Sequence, residues 1–218
     1  MELFTASWAS LRSAVADLAD DDLLQPSGCR GWLVRDLVCH LIIDAQDVLI
    51  TLATPAEAEP TRDAITYWDI ASEPPTGEDP LDALTVRLAA AYEEPWLLKF
   101  HLDDLGSAAG RAAQLADPLA RVGTKDQVLT VADYLDAYVV EWTLHHLDLV
   151  ARLPHVPGPA PESAAASREA LEQITGTPFP DSLSDVDALL VGTGRRTPTA
   201  TEQAELDQLG LSVPYVLG

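Results

Sequence analysis

The sequence predicts an all-α protein: a four-helix bundle with one long crossover and a short helical C-terminal extension. Three observations carry that expectation. Apolar residues recur at helical spacing through four long segments. The alternating, Val-rich runs that strands need are short and few. Prolines concentrate in two connections, where they break the chain between periodic segments.

The first helix is expected over roughly 4–22, where Phe4, Trp8, Leu11, Val15 and Leu18 form one stripe. Pro26, Gly28 and Gly31 mark the turn after it. The second helix runs from near Leu33 to about Thr51, with Leu37, Val38, Leu41, Ile42, Val48 and Leu49 on a wide apolar face. His40 lies close to that face. Residues 54–80 hold Pro55, Pro60, Pro74, Pro75 and Pro80 and are too long for a plain linker. They read as a crossover covering one side of a site, with Tyr67 and Trp68 packed onto the bundle. A third helical region begins after Pro80 with Leu84, Leu88 and Tyr92 and is broken or kinked at Pro95. Helical patterning resumes with Leu97, Phe100 and Leu105 toward Ala116, although Gly106 and Gly110 weaken it. Residues 118–129 are expected as a loop or a short extended stretch.

The fourth main helix starts at about Val131, where Thr130 and Asp133 form a capping arrangement. It continues through Tyr134, Tyr138, Glu141 and His145 to about Arg152. Pro154, Pro157, Pro159 and Pro161 follow. Short helices are expected near 163–174, 182–192 and 199–208. The expected organisation is a helical bundle over 1–153, a proline-rich linker over 154–162 and a small helical region over 163–218.

The chain has 218 residues and a formal net charge of -22. Such a chain repels phosphates, which argues against nucleic acid and against an anionic membrane surface. Two cysteines, Cys29 and Cys39, make no CxxC pair and no disulfide framework, which fits a reducing cytoplasm. Met1-Glu2-Leu3-Phe4 lacks the basic start of a signal peptide. No apolar run approaches the length of about 20 residues that spans a bilayer. A cytoplasmic soluble protein is the simplest expectation.

The residues with most to say about chemistry are Glu141 and His145. Their spacing stacks a carboxylate and an imidazole on one helical face, one turn apart. From there both can close on one cation, with His40 of the second helix as the best third ligand. Three protein ligands leave the open position of a catalytic zinc site. By spacing alone, an exposed intrahelical pair is the commoner explanation. Asp44, one turn after His40, can orient that imidazole or substitute as a ligand. His146 lies about 100° around the helix from His145 and reads as a supporting or surface residue. His101 and His155 lack partners in the sequence. Cys39, between Val38 and His40, reads as a buried, inert thiol. Gly192-Thr193-Gly194-Arg195-Arg196 has neither the lysine nor the preceding strand of a phosphate loop and reads as a helix end and turn.

With these residues located, the chain resembles the mycothiol-dependent maleylpyruvate isomerase family. Gly31-Trp32-Leu33-Val34-Arg35-Asp36-Leu37-Val38-Cys39-His40-Leu41 is similar to its first signature. Asp133-Tyr134-Leu135, followed by Val139-Val140-Glu141-Trp142-Thr143-Leu144-His145-His146-Leu147-Asp148-Leu149, is similar to its second. Leu189-Leu190-Val191-Gly192-Thr193-Gly194-Arg195 looks like the tail of many actinobacterial members. The resemblance implies a DinB-like bundle and a divalent metal, usually zinc, held by His40, Glu141 and His145. Nickel or cobalt also suits such a donor set. It further implies mycothiol as co-substrate.

The sequence departs from the family at His146, at Tyr138 and at Arg30 after Cys29. Its C-terminal region reads as short and helical, where characterised isomerases carry a mixed α/β domain. The expected function is therefore a zinc-dependent thiol S-transferase, ahead of a cis–trans isomerase. The partners are a small-molecule thiol and an electrophile. A sugar thiol without strong negative charge is compatible with so acidic a chain. The alternatives are a non-catalytic metal-binding or interaction protein, with His146 or Asp44 closing the site, and a metal-dependent hydrolase.

Overall fold

Helix termini fall where local chemistry puts them. The computed structural model describes residues 1–71 and 79–217. Helix α1 spans Glu2–Ala16, α2 Val34–Leu52, α3 Pro80–Ala90, α4 Pro95–Leu115 and α5 Val131–Val150. The C-terminal region adds α6 at Pro161–Thr175, α7 at Asp185–Gly192 and α8 at Ala200–Leu209. Thr130 caps α5, its hydroxyl accepting from the Asp133 amide at 3.0 Å. Pro95 occupies the first turn of α4, where its missing N–H leaves no partner wanting. It therefore opens a separate helix. The first helix ends earlier than expected. After Ala16 the acidic run is taken up by a short 3₁₀ turn at Asp22–Leu24, although Leu18 stays in the core.

The protein is all-α in class, with two small antiparallel pairs among the described residues. Strands β2 (Arg121–Thr124) and β3 (Gln127–Thr130) form a hairpin where a loop or short extended stretch was expected at 118–129. Lys125 and Asp126 join them in left-handed conformations, which suit the right-handed twist of a tight hairpin. Strands β1 (Ile70–Ala71) and β4 (Val216–Leu217) tie the crossover to the C-terminal end of the chain. Pro74 and Pro75 of that crossover lie outside the described residues. Among the described residues, no helix is long and apolar enough to cross a membrane.

Four long helices, α1, α2, α4 and α5, enclose the main core. At its centre Trp8 and Trp142 stack with ring centroids 3.9 Å apart, and Phe4 tilts against Trp142 at 4.7 Å. The Trp8 indole N–H donates to the Gly106 carbonyl at 2.8 Å. A Cβ on Gly106 would lie 2.7 Å from the Trp8 ring, so only glycine lets α4 approach α1 this closely. That packing role explains a glycine inside a helical pattern.

Helix α5 is covered on two sides. Tyr134, Leu135, Tyr138, Trp142 and Leu149 join the main core. Ala137, Val140, Leu144 and Leu147 join a second apolar cluster built with α6, α7 and α8. The narrow strip between them carries Glu141, His145 and Asp148.

The main core is continuous and apolar, so it supplies folding energy without any metal. Chelation is expected to lower the melting temperature while helical circular dichroism remains. Collapse to random coil on chelation would make the ionisable strip of α5 a structural requirement instead.

Candidate metal centre

Helices α2 and α5 bring four side chains to one point. One ligand-type atom from each of His40, Asp44, Glu141 and His145 lies within 4.8 Å of the others. His145 Nε2 is 3.1 Å from Glu141 Oε1 and 3.1 Å from His40 Nε2. His40 Nε2 is in turn 3.6 Å from Asp44 Oδ1. Each helix contributes an i,i+4 pair, His40 with Asp44 and Glu141 with His145, so two rigid scaffolds aim both pairs inward.

The far side of His145 determines its tautomer. Asp148 Oδ2 lies 3.2 Å from Nδ1 and accepts its hydrogen. Nε2 is thereby directed at the cluster, an arrangement that raises the basicity of a metal-ligating imidazole. Arg195 grips Asp148 bidentately, Nε to Oδ1 at 2.9 Å and Nη2 to Oδ2 at 2.8 Å. The Cys29 thiol also donates to Asp148 Oδ2 at 3.4 Å. Burial opposes ionisation of Asp148, yet His145 and Arg195 outweigh it and hold the carboxyl far below the usual range. The Gly28 amide donates to the Asp148 carbonyl at 2.8 Å, and a Cβ on Gly28 would lie 2.5 Å from Asp148 Oδ1. The turn containing Gly28 thus seats directly on this carboxylate.

Charges inside the cluster compensate one another in part. Burial raises Glu141, but His145 and His40 more than offset this and lower it well below the ordinary glutamate value. Burial also disfavours charge on His145, and Glu141 with Asp148 overcomes it, raising that histidine well above the usual value. Asp44 is left short. Burial pushes it up to about 6, and its Oδ2 is enclosed with no hydrogen-bond partner among the described residues. A buried carboxylate with one unpartnered oxygen, its other oxygen 3.6 Å from His40 Nε2, in a cluster with Glu141 and His145, is what a divalent cation would satisfy. The donor set therefore fits such an ion.

Two cavities meet at the cluster. The larger, about 670 Å³, is lined by Asp44 and by aromatic residues of the crossover and α5. The smaller, about 590 Å³, is lined by His145, Asp148, Cys29 and Arg195. His40 and Glu141 line both.

Other residues go elsewhere. His146 is 2% exposed, which corrects a surface placement, and its Nε2 donates to the Pro157 carbonyl at 3.0 Å. It points away from the cluster and cannot close it. His101 pairs with Tyr92, and His155 with Asp22. Cys39 is buried in the main core, where burial pushes its thiol up to about 11. Sequence reasoning missed the work of Asp148 and Arg195. Asp148 had a usable signal, since it falls three residues after His145 on the same helical face. Arg195 stood in the tail segment that resembles the family, but nothing there named its partner, because only folding brings it from the segment after α7 onto α5.

The fold and this donor set define a class: a helical bundle with a two-histidine, two-carboxylate cluster able to hold a divalent cation at the junction of two cavities. The chain belongs to a known family. The family model described as the mycothiol maleylpyruvate isomerase N-terminal domain matches residues 4–150, which is more than half of the chain. That span runs from α1 to the end of α5 and includes all four clustered side chains, while Arg195 lies beyond it. No curated protein and no solved structure matches the chain.

Replacing His145 by Ala is expected to reduce metal occupancy far more than replacing His146 by Ala, measured by elemental analysis after dialysis. Equal losses would undo the contrast between the two neighbours. Asp148→Asn is expected to weaken metal affinity by about 10–100-fold, the usual effect of losing a carboxylate behind a ligating histidine. Unchanged affinity in a competition titration would show that Asp148 serves only to anchor Arg195.

Proposed function

We propose that the chain is a metal-dependent enzyme that uses a low-molecular-weight thiol, mycothiol by family, to attack an electrophilic small molecule. The observation that carries this reading is the convergence of His40, Glu141 and His145 between two cavities, in a chain of a thiol-dependent family. These three residues are the proposed ligands, zinc the preferred ion, and nickel or cobalt acceptable to the same donors. A divalent ion held there would favour the thiolate over the thiol and so would supply a nucleophile at neutral pH.

The chain's own residues then do the rest. Asp148, clamped by Arg195, holds the His145 imidazole in the tautomer that presents Nε2. The two cavities give the thiol and its target separate approaches to His40 and Glu141. The thiolate sulfur adds to one carbon of an activated C=C bond, and the π pair moves onto the adjacent electron-withdrawing group. If that anion takes a proton and the adduct is released, the outcome is S-transfer. If rotation about the new single bond is followed by expulsion of the same thiolate and return of the C=C bond, the outcome is cis–trans isomerisation. S-transfer is favoured, because the C-terminal region here is three helices with only the two-residue strand β4, rather than a mixed α/β domain.

A second reading has one specific observation behind it. Asp44 stands as a fourth donor with an unsatisfied oxygen, and a closed site of four protein ligands would bind metal without chemistry. Elemental analysis of the purified protein separates the two when it is followed by a screen of thiols against electrophiles, with metal present and then removed. Metal-dependent turnover supports the enzyme. Stoichiometric metal with no turnover and no thiol binding supports the closed site.

Under the enzymatic reading, the apparent pKa of the thiol should fall below its free value of about 8.5. The catalysed rate should then be nearly flat upward from neutral pH, while the uncatalysed rate keeps rising. Glu141→Gln should keep the fold and weaken metal and rate together, because it removes an anionic ligand. Cys39→Ala should leave the rate within about twofold, since that thiol is packed in the core. A large loss in the Cys39 variant with metal still bound would point to a protein thiol as nucleophile.

A further inference from the structure

The larger cavity has an unbalanced charge that specifies what can enter it. Five carboxylates line it: Asp44, Asp47, Asp69, Asp82 and Glu141. A divalent ion at the cluster would balance Asp44 and Glu141. Asp69 is paired with Arg62 at 3.5 Å. Asp47 and Asp82 remain, and neither forms a salt bridge among the described residues. Among the described lining residues the one Lys or Arg is Lys125, exposed at the tip of the β2–β3 hairpin.

The walls between these carboxylates are aromatic. Trp32, Tyr67, Trp68 and Tyr138 all line the cavity. Aromatic faces next to unpaired carboxylates stabilise an organic cation by two mechanisms at once, ring quadrupole and Coulomb attraction. A dicarboxylate would meet like charge on entering.

We propose that this cavity binds a cationic, amine-bearing small molecule of single-ring size, and that Asp47 and Asp82 set the preference for positive charge. Its role as the electrophile rests on the function proposed above; its binding does not. The cavity of about 670 Å³ is ample for one aromatic ring with a short substituent.

The test uses the full-length, metal-loaded protein and three probes of equal shape: benzylamine, benzyl alcohol and benzoate. Isothermal titration should show benzylamine binding about tenfold more tightly than benzyl alcohol, with benzoate weakest. In the Asp47→Asn, Asp82→Asn double variant, benzylamine should lose about tenfold, with benzyl alcohol within about twofold. Lys125→Glu, at an exposed hairpin tip, should act oppositely and tighten benzylamine, which keeps the test decisive if the double variant folds poorly. Benzoate equal to benzylamine, equal weakening of all three probes in the double variant, or no binding of any probe at millimolar concentration would overturn the inference. A separate arm adds 2-mercaptoethanol to cobalt-loaded protein and follows the visible spectrum. An unchanged spectrum with intact charge discrimination would sink the thiol reading and leave this one standing. A changed spectrum without discrimination would do the reverse.

Discussion

Helix α5 is packed against apolar residues on two sides, and each charge on its remaining strip has to find compensation nearby. Glu141, His145 and Asp148 lie one turn apart along that strip. Burying a carboxylate alone is far too unfavourable to persist, so the strip is stable only as a linked set. Asp148 is held by Arg195, His145 bridges Asp148 and Glu141, and Glu141 and His145 together face His40. Remove one member and the next is left with an uncompensated charge.

This constraint accounts for features that otherwise look unrelated. The turn at Gly28 must come close to Asp148, which requires a residue without a side chain. The C-terminal helices must return to α5, because Arg195 arrives only with them. They bring their own apolar cluster, and that cluster is what covers the second side of α5. The C-terminal region is thus part of the site's construction even though it lies outside the span matched to the family.

Of the four clustered side chains, Asp44 is the one with a buried oxygen that has no partner among the described residues. Within a cluster otherwise built from mutual compensation, its orphaned oxygen is the place where a cation has the most to contribute. The same logic, applied a few ångströms further out, leaves Asp47 and Asp82 facing an aromatic cavity with no paired base. Compensation inside the cluster and its lack in the cavity are two expressions of one acidic surface folded inward.

Much of this was legible in the sequence because it is local. Helical spacing of apolar residues located α2 and α5, the Thr130 cap located the start of α5, and the four-residue interval put Glu141 and His145 on one face. Those signals depend on backbone periodicity and nearest neighbours, which a sequence records directly. The end of α1 at Ala16 was missed, and 118–129 was read as a loop or short extended stretch without its pairing into the β2–β3 hairpin, since short elements are decided by what they pack against. The orientation of His146 toward Pro157, the clamp of Arg195 on Asp148 and the burial of Asp44 were decided only by tertiary structure. Each depends on a partner distant in the chain or on the packing of another element. A carboxylate on a helix looks the same in sequence whether it faces water or a cavity. Its physics changes only when neighbouring elements remove the water.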